Sequence, residues 1–177
     1  MHVKNKNNSV LSPGVFQKAS IICWMPNTYS ELNLQYIFAV KFRDAVIRPS
    51  WEKELYKFIT TIFQDNGQKI VQVNGVADHI HILAGLNVSQ SVSSIIQKVK
   101  SESSKWVNTK RFSPSKFAWQ EGYAAFSYSK SHLPEVIRYI QNQKAHHQKQ
   151  TFLEEYERFL TAFEIPFEDK YIFNELL

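Results

Sequence analysis

The chain has 177 residues, 44% hydrophobic and 14% aromatic, enough apolar material to fill one core, so a single compact domain is expected. With 21% charged residues, 5 Gly and 6 Pro, it is neither collagen-like nor low-complexity, and no apolar run approaches the roughly 20 residues of a bilayer span. The single Cys23 excludes an internal disulfide and a thiolate zinc site, and fits a reducing, cytoplasmic setting.

The net charge of +5 is unevenly placed. Residues 98–116 carry Lys98, Lys100, Lys105, Lys110, Arg111 and Lys116 against Glu102 alone, so that stretch is +5 by itself, whereas residues 151–177 are −5. Such asymmetry suggests a polyanion-binding body with an acidic C-terminal segment facing elsewhere; a solvated helix face is the plainer alternative.

Residues 1–24 differ from the rest: a polar VKNKNNS, a turn at SPG and a short apolar ASIICW. The patch lacks the arrangement of a signal peptide. Regular patterning begins after Met25, so 1–24 are expected to be a dispensable extension and 25–177 one domain. Leu34–Val40 reads as a strand. Ser50 is expected to cap a helix in which Trp51, Leu55, Phe58, Ile59 and Ile62 keep helical spacing up to Gly67. Lys69–Val73 and His79–Leu83 read as strands joined across the turn signal Asn74-Gly75. After Ser89, Ser91 and Ser93 comes a helix with Val92, Ile95, Ile96, Val99 and Trp106 on one side and basic residues largely on the other. Lys116–Trp119 and Tyr123–Tyr128 supply aromatic strand material, PEVIRYIQNQKAHHQ (134–148) a helix opened by Pro134, and Phe152 to Phe163 an amphipathic successor. The order βαββαβ predicts an α+β, ferredoxin-like antiparallel sheet with two helices on one face and the extra C-terminal helices available for the other.

The most informative residues are Asp78-His79-Ile80-His81-Ile82-Leu83. Side chains alternate along a strand, so Ile80 and Ile82 enter the helix-packed core while His79 and His81 share the opposite face, roughly 6.6 Å apart, within reach of one cation. The alternative is two ordinary polar residues on a half-exposed face. Asp78 is placed either to orient a ligand histidine or to cap the preceding turn. In Tyr139-Ile140-Gln141-Asn142-Gln143, the i, i+4 spacing puts Tyr139 and Gln143 on one helical face. If that helix crosses the open sheet face, Gln143 offers an amide oxygen as a third ligand and Tyr139 a nucleophile beside a Lewis acid; otherwise Tyr139 is a packing residue with its hydroxyl in water. His147, one turn beyond Gln143, is either near the site or solvated, with His146 beside it and His132 in a loop.

These motifs, in this order, resemble the single-tyrosine HUH transposases, TnpA-like enzymes of bacterial insertion sequences. The resemblance runs from about Met25 to the C-terminus and includes WQEGYAAFSYS (119–129). It implies that His79, His81 and Gln143 hold Mg²⁺ or Mn²⁺ and that Tyr139 attacks the scissile phosphate of single-stranded DNA beside a hairpin, leaving a 5′-phosphotyrosine and a free 3′-OH. It also implies a homodimer, with Ser127–Ser131 as a candidate linker for exchanging the tyrosine helix between chains, and a bacterial cytoplasmic setting.

On this reading Lys98, Lys100, Lys105, Lys110, Arg111 and Lys116 become candidate DNA contacts, Lys100, Lys105, Lys110 and Arg111 foremost. Trp106 is placed either on an unpaired base or in the core, its helical register favouring the core. Three rivals stand beside the transposase. One is a domesticated hairpin-cleaving relative. Another is a non-catalytic nucleic-acid module, which expects aromatics where His79 and His81 stand. The third, a metal hydrolase, is disfavoured because no suitably placed carboxylate is apparent in the sequence.

Overall fold

A computed structural model describes residues 29–168; the expected extension 1–24 lies outside them. Four strands, β1 (Asn33–Ala39), β2 (Lys69–Gly75), β3 (His79–Gly85) and β4 (Ala124–Tyr128), form one antiparallel sheet in the order β2-β3-β1-β4. Helices α1 (Glu52–Asp65) and α2 (Val92–Lys110) connect β1 to β2 and β3 to β4, and three further helices follow: α3 (Leu133–Gln141), α4 (Gln143–His146) and α5 (Phe152–Ala162). This is the expected α+β, ferredoxin-like arrangement.

The alternation of β1 and β3 sorts the sheet into two faces. Tyr36, Phe38, Ile80 and Ile82 point to one side, where they bury against Leu55, Ile59 and Phe63 of α1 and Ile96 and Val99 of α2. Ile37 and Ala39 point to the other, with Phe126 of β4, and are covered by Phe152 and Leu160 of α5. Leu83, on that same face, meets Val136 and Ile140 of α3. Because Ile37 pairs with His81 and Ala39 with His79, the histidines lie at the centre of the second face. Among the described residues no helix is long and apolar enough to cross a membrane.

Local chemistry sets the boundaries. α2 is capped by Ser91, whose Oγ accepts from Ser94 N at 3.2 Å. Ser50 does not cap α1: Trp51 takes the N-cap position without a side-chain bond, buried and stacked on Phe112 at 5.4 Å between ring centres. Gly67 follows the end of α1 at φ +70, a conformation that disfavours a side chain. At Gly75 the constraint is space, since a Cβ there would lie 2.3 Å from His79 O and 2.9 Å from Ile80 Cα.

Residues 116–119 do not form a strand beyond a single bridge between Trp119 and Val40. The Asn108 carboxamide instead holds both backbone groups of Phe117, each at 2.8 Å, and Ser103 Oγ accepts from the Trp119 indole, which ties the segment to α2. The single helix expected over 134–148 is interrupted at Asn142. There Asn74 Nδ2 donates to Ile140 O and Gln141 O at 2.8 and 3.0 Å, satisfying carbonyls at the end of α3. Trp106 lies against the core, stacked on Phe58 at 4.9 Å.

Candidate active site

β3 delivers His79 and His81 to the second face with rings 5.1 Å apart, both fully buried. Each imidazole is held by its Nδ1. His79 Nδ1 donates to Asp78 Oδ1 at 2.8 Å, and Asp78 Oδ2 in turn accepts from Arg43 at 3.3 Å. His81 Nδ1 lies 2.9 Å from Gln35 Nε2 of the neighbouring strand. A carboxamide can present either end, and Gln35 Oε1 makes no other hydrogen bond, so rotation of the amide would let His81 Nδ1 donate instead. In both residues Nε2 is left facing away from the sheet.

α3 and α4 bring Tyr139 and Gln143 over this face, and α5 adds a residue absent from the expected set. Glu155 is buried and stands between them all. Its Oε1 accepts from the Tyr139 hydroxyl in a very short hydrogen bond and from Gln143 Nε2 at 3.0 Å. Its Oε2 accepts from His147 Nε2 at 3.0 Å and lies 3.3 Å from His81 Nε2 and 3.5 Å from His79 Nε2. The expectation that no carboxylate accompanies the histidines is therefore overturned, because α5 folds back over the open sheet face. The signal was present in FLEEYERFL: Glu155 occupies the apolar stripe of Phe152, Phe159 and Leu160, where a carboxylate needs a buried partner. His147 also joins the site, its ring 4.5 Å from that of His79, while His146 packs on Tyr139 at 4.9 Å. His132 stays apart, in the turn before α3, where it meets Ser129 Oγ.

The electrostatics follow from this crowding. Burial raises the Glu155 carboxyl, but the hydrogen bond from His147 and the close His79 and His81 imidazoles outweigh it and hold the group well below the usual carboxylate range. The two histidines diverge. Burial opposes the charged form of His79, yet Asp78 and Glu155 raise it above its ordinary value. His81 has no such second carboxylate, and burial pushes it down to about 4 despite Glu155. Burial raises the Tyr139 phenol, and Glu155 raises it further, with Arg158 acting in the opposite direction.

Three buried atoms of the group make no hydrogen bond: His79 Nε2, His81 Nε2 and Gln143 Oε1. Buried polar atoms without partners are rare and call for an explanation. They belong to residues gathered around one carboxylate, and ligand atoms of His79, His81, His147 and Glu155 all lie within 4.8 Å of one another. Imidazole nitrogens with carboxylate and amide oxygens are donors suited to a divalent first-row metal such as Mn²⁺, and the oxygens also suit Mg²⁺. The donor set fits such an ion.

The basic residues of α2 and the following loop divide. Lys98, Lys105, Lys110, Arg111 and Lys116 are exposed, with Lys98 touching Asn66 Oδ1 at 3.0 Å. Lys100 is turned inward. Its ammonium donates to the Gln120 and Gly122 carbonyls and sits over the Phe38 ring, and burial depresses its pKa.

A four-stranded antiparallel βαββαβ sheet with a histidine pair on its open face, opposed by a helix-borne tyrosine, is the plan of a single-tyrosine transposase. Two solved structures share the fold. A protein from Deinococcus radiodurans R1 assigned as a transposase superposes with a TM-score of 0.53 at 19% identity, over 67% of this chain and 95% of that one. A REP-associated tyrosine transposase bound to a REP hairpin gives 0.53 at 14% identity, over 69% of this chain and 72% of that one. No protein of curated function matches. The family model described as "Transposase IS200 like" matches residues 28–143, more than half of the chain, and the chain belongs to that family.

Proposed function

We propose that this chain is a metal-dependent transposase that cuts and rejoins single-stranded DNA beside hairpins, with Tyr139 as nucleophile. The observation that carries the reading is the position of the Tyr139 hydroxyl, hydrogen-bonded to the same carboxylate around which His79, His81 and Gln143 gather with unpartnered donor atoms. His79, His81 and Gln143 would hold Mg²⁺ or Mn²⁺, with Glu155 and His147 supplying further donors. When bound, the ion polarises the scissile phosphate and stabilises the charge that develops on it.

The chain's own residues do the rest. The Tyr139 oxygen bonds to phosphorus, the P–O3′ bond breaks, and the 3′ oxygen leaves with a proton taken from solvent. The phenol proton is lost to solvent as the bond forms, while Glu155, which accepts the hydroxyl in a hydrogen bond, orients the attacking oxygen. The phosphotyrosine ester conserves the energy of the broken phosphodiester, so a later attack by a 3′-OH restores a DNA strand without outside energy. Asp78 and Gln35 hold the two imidazoles in orientation. Hairpin binding is supported by the structural relative that carries a REP hairpin, and the exposed Lys98, Lys105, Lys110, Arg111 and Lys116 provide a surface for the phosphate backbone. Each chain holds one nucleophile, so two coupled cleavages require a pair of chains.

The test incubates the protein and Mn²⁺ with labelled single strands tiled across the DNA flanking its gene. A covalent protein–DNA adduct is expected that Tyr139→Phe abolishes and a chelator prevents. An adduct that survives Tyr139→Phe would move the nucleophile elsewhere, Tyr123 or Tyr128 being the next candidates, and cleavage in excess chelator would remove the metal from the reading.

A further inference from the structure

The residues matched by the family model end at Gln143, yet two side chains from α5, beyond that limit, meet the Tyr139 hydroxyl. Glu155 accepts from it, and Arg158, three residues later on the same helix face, donates to it from Nη2 at 2.9 Å. The Arg158 guanidinium also lies over the Tyr139 ring, 5.7 Å from its centre, a cation–π placement that fixes the charge beside the phenol. Arg158 is exposed, and among the described residues no carboxylate pairs with it in a salt bridge. Its setting sharpens the point. Residues 151–177 carry seven acidic side chains and two basic ones, and one of those two cations stands on the nucleophile.

We infer that Arg158 is a catalytic residue of the strand-transfer reaction, binding a non-bridging oxygen of the scissile phosphate as Tyr139 attacks and of the phosphotyrosine that results. The inference rests on the transposase reading above. An attacking oxygen must come within about 3–3.5 Å of the phosphorus, and a guanidinium already in hydrogen-bond contact with that oxygen then lies beside the oxygens of the phosphate. Its planar fork of donors suits two phosphate oxygens at once. The charge is needed there, because the same hydroxyl touches the Glu155 carboxylate, which would otherwise repel the incoming anion. An Arg fixed before the substrate arrives stabilises the pentavalent phosphate without having to reorganise. The bond changes remain those given above, since Arg158 donates hydrogen bonds and transfers no proton.

The experiment compares wild type, Arg158→Ala and Tyr139→Phe on the flanking strand that gives an adduct, and on the same strand with one neutral methylphosphonate at the cut site. With the natural phosphate, Arg158→Ala is expected to slow adduct formation by about 100-fold while leaving binding of the uncut strand unchanged. With the methylphosphonate, which carries no charge for the guanidinium to meet, wild type and Arg158→Ala are expected to react at similar rates. That second arm separates charge recognition from misfolding, because a damaged protein loses both reactions alike. Equal losses on the two substrates, or no loss on either, would overturn the role of Arg158 while leaving Tyr139 in place. Failure of wild type to form any adduct dependent on Tyr139 would overturn the transposase reading, and this inference with it.

Discussion

The two faces of the sheet are made by alternate residues of the same strands and have opposite chemistry. On the face covered by α1 and α2, Tyr36, Phe38, Ile80 and Ile82 pack among Leu55, Ile59, Phe63 and Val99 in a mostly apolar interior. One residue along, Gln35, His79 and His81 are just as buried; like Tyr36 on the first face, each has a side-chain atom with no hydrogen-bond partner, but those of His79 and His81 converge on the Glu155 carboxylate. Buried polar atoms left unpaired cost stability. The first face therefore supports the fold, and the second uses part of that support to hold donors ready for something else. If so, damage to either should be separable from damage to the other.

The largest expected effect is Tyr139→Phe, which removes the nucleophilic oxygen and should abolish the covalent adduct while the melting temperature stays near that of wild type. His81→Ala should come next, reducing metal-supported cleavage to background with binding of the hairpin strand retained, as measured by gel shift in the same buffer. Phe63→Ala breaks the comparison from the other side. It opens a cavity in the apolar face and should cost about 3–5 kcal/mol in urea unfolding, with adduct formation at low temperature little changed. Loss of activity at full stability after Phe63→Ala, or unfolding after Tyr139→Phe, would show that the faces are not independent. Mn²⁺ sharpens the same contrast. At 100 times its dissociation constant it should stabilise wild type by about 2.7 kcal/mol and His81→Ala much less, read from thermal melts with and without chelator. The smallest effects belong to Lys105→Ala and Lys110→Ala, each of which should weaken DNA binding evenly across sequences and flatten the salt dependence by about one unit of log–log slope.

The division between the faces was legible in the sequence because strand alternation is a local property. His79 and His81 flank Ile80, so placement on opposite faces follows from the period of two alone. Tyr139 and Gln143 were legible for a similar reason, their spacing being that of one helical turn, although the backbone changes from α3 to α4 at Asn142 between them. That break depends on Asn74, far away in the chain, and no local pattern announces it. Glu155 and Arg158 were hidden by the same circumstance. The spacing of Phe152, Phe159 and Leu160 predicts their amphipathic helix, but which surface it covers is decided by tertiary packing. Lys100 is the converse case: its neighbours in sequence suggested a solvated cation, whereas the carbonyls of Gln120 and Gly122, held by the loop after α2, draw the ammonium inward. Aromatic runs favour strands, so the pattern around Trp119 predicts strand, yet its indole is claimed by Ser103.

Gly75 stands on the edge strand and carries no ligand atom, but its missing side chain lets β2 press against the carbonyl of His79 and the Cα of Ile80. Even a methyl group there would drive the hairpin open at the end where the histidine pair begins. A genetic screen for loss of mobility should thus recover replacements at position 75 alongside those at the chemical groups, and the mutant proteins would be defective in alignment with every reactive atom still present.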